Sequence, residues 1–155
     1  MTATNHALTG AVVALAVREP LLVLPLAVLS HFILDMLPHF GIHEEDTVKR
    51  NAHWLFRTVV SVDTVVVVSL LVAVPLLANG DLNGWIILLG MIGGLLPDSV
   101  WIYRFIRMMR KMPLKPYGKI SSFHQYIQWF EKPLGLPIEF AWMFVALVVI
   151  NSLAA

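Results

Sequence analysis

Five apolar runs, separated by short polar breaks, constrain this chain more than any other feature. They cover Ala7 to Val17, Leu21 to Leu37, Thr58 to Leu77, Trp85 to about Ile102 and Leu136 to about Leu153. Hydrocarbon offers a peptide group no hydrogen bond, so a segment that enters it must satisfy its own backbone, and a helix does this within one segment. A full crossing takes about 20 residues at about 1.5 Å each. The last three runs reach that length, Leu21 to Leu37 lies near the lower limit, and Ala7 to Val17 is short. The valines between Thr58 and Leu77 would favour strand in water, but run length and setting decide for helix. Of the 155 residues, 58% are hydrophobic and 14% charged, against roughly 25% charged in a soluble domain. These features predict one integral membrane domain over 1–155. Its fold class is all-α, a helical bundle of about five membrane segments, the first of them short.

The breaks carry local signals. Thr4 or Asn5 can cap the first segment, and Arg18-Glu19-Pro20 turns the first two segments into a helical hairpin. Pro25 introduces a kink in the second segment, and Pro38 ends it. Asn79 to Gly84 is a turn cluster, while Gly90, Gly93 and Gly94 allow close helix packing. Ser121 to Lys132 reads as a short amphipathic helix at the membrane interface. Met1 to His6 has no basic region ahead of the first apolar run, so no cleavable signal peptide is expected.

Orientation follows from Arg104, Arg107, Arg110, Lys111, Lys115 and Lys119, which lie in one connection without an acidic residue. The positive-inside rule assigns that connection, and with it the N-terminus, to the cytoplasm. Seven polar candidates then fall at one inner level: His6, His31, Asp35, His39, Asp63, Asp98 and His124. His31 and Asp35 are four residues apart and share a helix face. Ionisable groups in such a setting need partners or a role. The chain has no cysteine, which leaves imidazole, carboxylate and backbone oxygen as ligands and suits zinc, manganese or another divalent ion.

Each candidate also has a plainer reading. His31, Asp35 and His39 can join helices by hydrogen bonds, Asp98 can cap a helical turn, Asp63 can bond a neighbouring helix, His6 can be an ordinary helix-terminal histidine, and His124 an interfacial surface one. His43 and His53 lie in a polar connection, and Glu44-Glu45-Asp46 reads as a solvated charge run. Trp101 to Met112 is basic on one face and aromatic and methionine-rich on the other. It reads as an anchor on anionic membrane lipids, or as a device that steers phosphate-bearing lipids inward. No phosphate-cradling glycine loop, serine nucleophile motif or nucleic-acid module is present.

Asn5-His6-Ala7-Leu8-Thr9-Gly10, Ser30-His31 through Pro38-His39, Leu96-Pro97-Asp98 and Phe123-His124 together carry a resemblance. The chain resembles the small bacterial inner-membrane proteins called membrane-bound metal-dependent hydrolases, and is more distantly similar to zinc-dependent phospholipase C proteins. The resemblance implies an inner-membrane enzyme acting on a phosphoester, with a phospholipid as one substrate class. His6, His31, Asp35, His39, Asp98 and His124 would bind one or two divalent ions, zinc foremost. Such an ion activates water as the nucleophile. Asp63 or Asp98 would take the proton, and Asp63 would otherwise be a further ligand or orient one. A water-accessible cavity lined by His31, Asp35 and Asp98 is expected at the inner level. Three rivals stand beside this reading: a structural metal site or polar core without activity, an ion or proton pathway, and a subunit of a larger complex.

The orientation is testable because the chain is free of cysteine. A Lys115→Cys variant should resist an impermeant maleimide on intact cells and react once the membrane is opened. Labelling on intact cells would reverse the topology.

Overall fold

The polar break at Arg18 sets the first feature of the fold. In the computed structural model, which describes residues 1–41, 54–77, 82–110, 112 and 118–154, helices α1 (Ala3–Val17) and α2 (Pro20–Asp35) form the expected hairpin. Arg18 closes α1 in the left-handed conformation at φ 57°, with its N–H donated to the Ala14 carbonyl. Pro20 then opens α2, where its missing N–H costs nothing. Pro25 lies inside α2. The helix ends at Asp35, three residues before Pro38. A two-residue strand β1 (His39–Phe40) follows.

The remaining elements are α3 (Trp54–Leu77), α4 (Leu82–Leu95), a 3-10 turn (Leu96–Asp98), α5 (Ser99–Met109), α6 (Lys119–Ile127), β2 (Glu131–Lys132), a second 3-10 turn (Pro133–Gly135) and α7 (Leu136–Ala154). The fold is all-α apart from β1 and β2, which pair in parallel with His39 opposite Glu131 and Phe40 opposite Lys132. That clasp is absent from the sequence expectation, because a two-residue strand has no periodicity to read. His43, Glu44-Glu45-Asp46, Lys49, Arg50, His53, Asp81, Lys111 and Lys115 lie outside the described residues.

Among the described residues, three helices are long and apolar enough to cross a membrane: Trp54–Val74, Asn83–Tyr103 and Pro133–Ala154. The expected five segments are thus three long helices and two shorter ones. At 15 and 16 residues, α1 and α2 rise only about 22 and 24 Å, less than a hydrocarbon core of about 30 Å. Large apolar side chains point outward along the bundle, among them Leu21, Leu29 and Ile33 of α2, Val62, Val65 and Val72 of α3, and Phe140 and Phe144 of α7. So extensive an apolar surface fits lipid and not water.

α1 lies at the centre and packs on α4, α2, α7 and α3. Ala7, Ala11, Val67 and Met91 form one buried cluster around it. The glycines of α4 divide their work. Gly90 and Gly94 face α1, where an added methyl would overlap the backbone carbonyls of Gly10 and His6. Gly93 faces Leu24 and Ala27 of α2. This is the small-residue packing expected from the sequence, and it brings two backbones into contact without side chains between them.

The start of α1 corrects the expected cap. The helix begins at Ala3, so Thr4 and Asn5 are already inside it, and Thr2 at the cap position makes no side-chain cap bond. The first N–H groups of a helix have no partner within the helix. Here acceptors come from other helices: Asp63 of α3 receives the Ala3 and Thr4 N–H groups at 2.8 and 2.9 Å, and Glu139 of α7 receives Thr2 N–H at 3.1 Å. Two carboxylates at the positive end of the helix dipole also gain electrostatically.

A larger side chain at Gly90 should separate α1 from α4. Gly90→Leu is expected to lower stability by about 1–3 kcal/mol through overpacking. Gly118, with open space around its Cβ position, should tolerate alanine within about 0.5 kcal/mol. Thermal scans of the detergent-solubilised variants distinguish them, and equal midpoints would remove the packing role.

Candidate metal centre

The α1–α4 contact fixes the site. Gly94 lets the His6 backbone approach, and the Gly94 carbonyl accepts the Nδ1–H of His31 at 2.7 Å. A carbonyl only accepts, so this bond puts the ring proton of a neutral His31 on Nδ1 and leaves the Nε2 lone pair facing inward. His6 stacks on His31 with ring centroids 3.7 Å apart. His124 comes from α6 and Asp98 from the first 3-10 turn.

Asp35 is the common partner. One oxygen, Oδ2, lies 3.2 Å from His31 Nε2 and 2.7 Å from His124 Nε2, and Gln128 Nε2 donates to it at 3.2 Å. The other, Oδ1, lies 3.1 Å from His6 Nε2 and 2.5 Å from the Met1 amino group. Asp98 Oδ1 lies 3.7 Å from His31 Nε2 and 3.9 Å from His124 Nε2. His6, His31 and Asp35 are fully buried, His124 nearly so, and the Asp98 side chain is 28% exposed. Asp98 is therefore the member of the cluster that reaches the surface.

Two triads are spaced for a metal ion: His6 with His31 and Asp98, and His31 with Asp35 and His124. In each, one donor atom per residue lies within 4.8 Å of the others. Tetrahedral bonds of about 2.0 Å place donors about 3.3 Å apart. The His31–Asp35 and His31–His124 separations of 3.2 and 3.1 Å match that edge, the Asp98 edges are slightly longer, and His124–Asp35, at 2.7 Å, is shorter and would open to admit an ion. Charge fits as well. With His31 neutral, its Nε2 is open to a cation beside the Asp35 carboxylate, 3.2 Å away. Two carboxylates attract a divalent ion, and opposite charge matters where burial penalises an unpaired one. The donor set thus fits a metal ion. His6 Nδ1, buried without a hydrogen-bond partner among the described residues, is a further unused ligand atom.

Two sequence candidates stand apart. Asp63 is engaged at both oxygens by the α1 N-terminus and is in neither triad. His39 is buried but also outside the triads. Its Nδ1–H donates to the Leu37 carbonyl at 2.7 Å. Burial, aided by the nearby terminal ammonium, holds its imidazole below the usual histidine range.

Sequence reasoning missed Glu139 and Gln128. Glu139 is 4% exposed. Besides Thr2, it accepts from Asn5 Nδ2 and from the Phe40 N–H at 3.1 Å, so it joins α7, α1 and β1. The signal was a lone carboxylate in an apolar run, the same signal that flagged Asp63. Gln128 lies four residues after His124, one helical turn on. No family model, characterised protein or solved structure matches this chain.

Metal analysis of purified variants tests the assignment. His31→Ala should weaken metal binding by at least about tenfold, the low end of what loss of even a supporting residue costs. His43→Ala should leave it unchanged. Asp63→Ala should keep the metal content while lowering the thermal midpoint. Equal metal content in the His31 and His43 variants would dismiss the centre.

Proposed function

We propose that the chain is a membrane-embedded, metal-dependent hydrolase acting on a phosphoester at the cytoplasmic face of a bacterial inner membrane, with α1 and α2 completing a set of five membrane segments. The observation that carries the reading is the position of His31 Nε2, turned inward by the bond from Nδ1 to the Gly94 carbonyl and set between two carboxylates in a buried cluster. Zinc is the ion of choice for a nitrogen and oxygen donor set of this size. His31 is common to both triads, and Gly94 occupies one of its two ring nitrogens. A single nitrogen binds a single ion, so the two triads are overlapping parts of one site.

When bound, the ion supplies a Lewis acid that activates water and polarises a phosphoryl oxygen. The chain does the rest. His31, His124 and Asp35 would hold the position, with Gly94 fixing the orientation of His31. Asp98, the partly exposed carboxylate, is placed to accept the proton of the attacking water. The water oxygen bonds to phosphorus, the bond from phosphorus to the leaving oxygen breaks, and Asp98 returns the proton to that oxygen. Asp63 has no part in this sequence, because its oxygens cap α1.

A second reading has its own support. Both oxygens of Asp35 already have partners within the chain, which suits a structural metal site or a hydrogen-bonded core. A panel of soluble and lipid phosphoesters separates the two. Zinc-loaded protein should hydrolyse at least one class. Asp98→Asn should reduce turnover by about 10²–10⁴-fold, the usual worth of a general base, with zinc still bound. Asp35→Ala should lose both zinc and activity. An inactive wild-type chain with tightly held zinc would favour the structural reading.

A further inference from the structure

An apolar groove of about 630 Å³ opens beside the cluster, a size typical of small-ligand pockets at about 300–1,000 Å³. Its walls are the sequence neighbours of the site residues. Phe32 follows His31, Pro97 and Ser99 flank Asp98, and Phe123 precedes His124. Phe32 and Phe123 meet edge to face at 5.6 Å, and Phe32 also meets the His124 ring at 5.7 Å. The groove and the cluster therefore share α2, the first 3-10 turn and α6. Val28 and Val100 extend the apolar wall, and Lys119 supplies a cation.

We propose that this groove is the binding site for the acyl chain of a phosphate-bearing lipid, whose headgroup lies between Lys119 and Asp98. The assignment rests on the hydrolase reading for which bond is cleaved, but not for binding itself. Three observations select the occupant. Ile120 and Phe123, at 70% and 53% exposure, face outward on α6, an arrangement that suits an interfacial helix and lets a lipid enter sideways. Ser99 and Lys119 are the polar residues among the described lining, so a peptide inserted there would lack partners for its backbone, whereas a hydrocarbon chain needs none. Lys119 gives an anionic headgroup its charge partner at the groove's rim. Pro97 and Ser99, which flank Asp98 in the chain, line the same groove.

The test uses palmitoyl lysophosphatidic acid carrying a diazirine in its chain, added to the purified full chain in dodecyl maltoside micelles and crosslinked by light. Crosslinks mapped by mass spectrometry should fall on the peptides containing Val28 to Phe32 and Ile120 to Phe123. Excess unlabelled lipid should suppress them, and inorganic phosphate should not. Val100→Trp should fill the groove and remove the saturable labelling. Lys119→Gln, at an exposed position where folding is not at risk, should raise the half-saturating lipid concentration about fivefold, with Lys119→Arg restoring it. Labelling that does not saturate, spread evenly over the outward faces of α2, α3 and α7, would overturn the proposal as ordinary boundary lipid. So would saturable labelling untouched by both Val100→Trp and Lys119→Gln. Saturable labelling by a chain inactive on every phosphoester would sustain the groove and defeat the hydrolase reading. Hydrolysis of soluble p-nitrophenyl phosphate without saturable labelling would do the reverse.

Discussion

A buried carboxylate governs this structure. Asp35 has no exposed side-chain surface, and an unpaired charge in such surroundings costs several kcal/mol even after relaxation. The fold answers by bringing the Met1 amino group, His6, His31, His124 and Gln128 around its two oxygens, from the start of α1, from α2, and from α6 with the residue that follows it. Each of those side chains sits where another feature holds it: Gly94 by its carbonyl for His31, Gly94 by its lack of a side chain for His6, and the α6 helix for His124 and Gln128. Removing any one leaves Asp35 short of a partner. The polar cluster and the helix packing are therefore one design.

The second anchor is the start of α1. A helix that begins inside a bundle exposes N–H groups where water is scarce. Asp63 and Glu139 accept them from α3 and α7, and Trp142 donates to Thr9 at 2.9 Å one step further along. Glu139 also reaches Phe40 of β1. The same carboxylates that close the helix end thus fix how far α1 is inserted, and so where His6 stands. Their role is positional, which accounts for two ionisable groups in apolar segments without assigning them to chemistry.

Much of this was legible in the sequence. Apolar run length indicated the helices, and a glycine group in the fourth run indicated close packing. The spacing of His31 and Asp35 showed one face, and the convergence of His6, Asp98 and His124 followed from a common membrane level. What was not legible depends on the third dimension. Asp63 had the same local pattern as a ligand and as a cap, and only the position of the α1 N-terminus separates the two. Glu139 looked like one charge at the entry of a span. The β1–β2 clasp is too short for any period. The boundary of α1 shifted by four residues, from Ala7 to Ala3, because its caps come from distant helices and not from its own side chains.

The central claim is that His31, His124, Asp35 and Asp98 surround one position. X-ray absorption at the zinc edge of metal-loaded protein measures that most directly. The account predicts one zinc per chain, with two or three imidazole nitrogens and carboxylate oxygens at about 2.0–2.2 Å. It also predicts that one imidazole disappears from the spectrum of the His124→Ala variant. Failure to bind zinc, or a shell of oxygen atoms without imidazole, would contradict it.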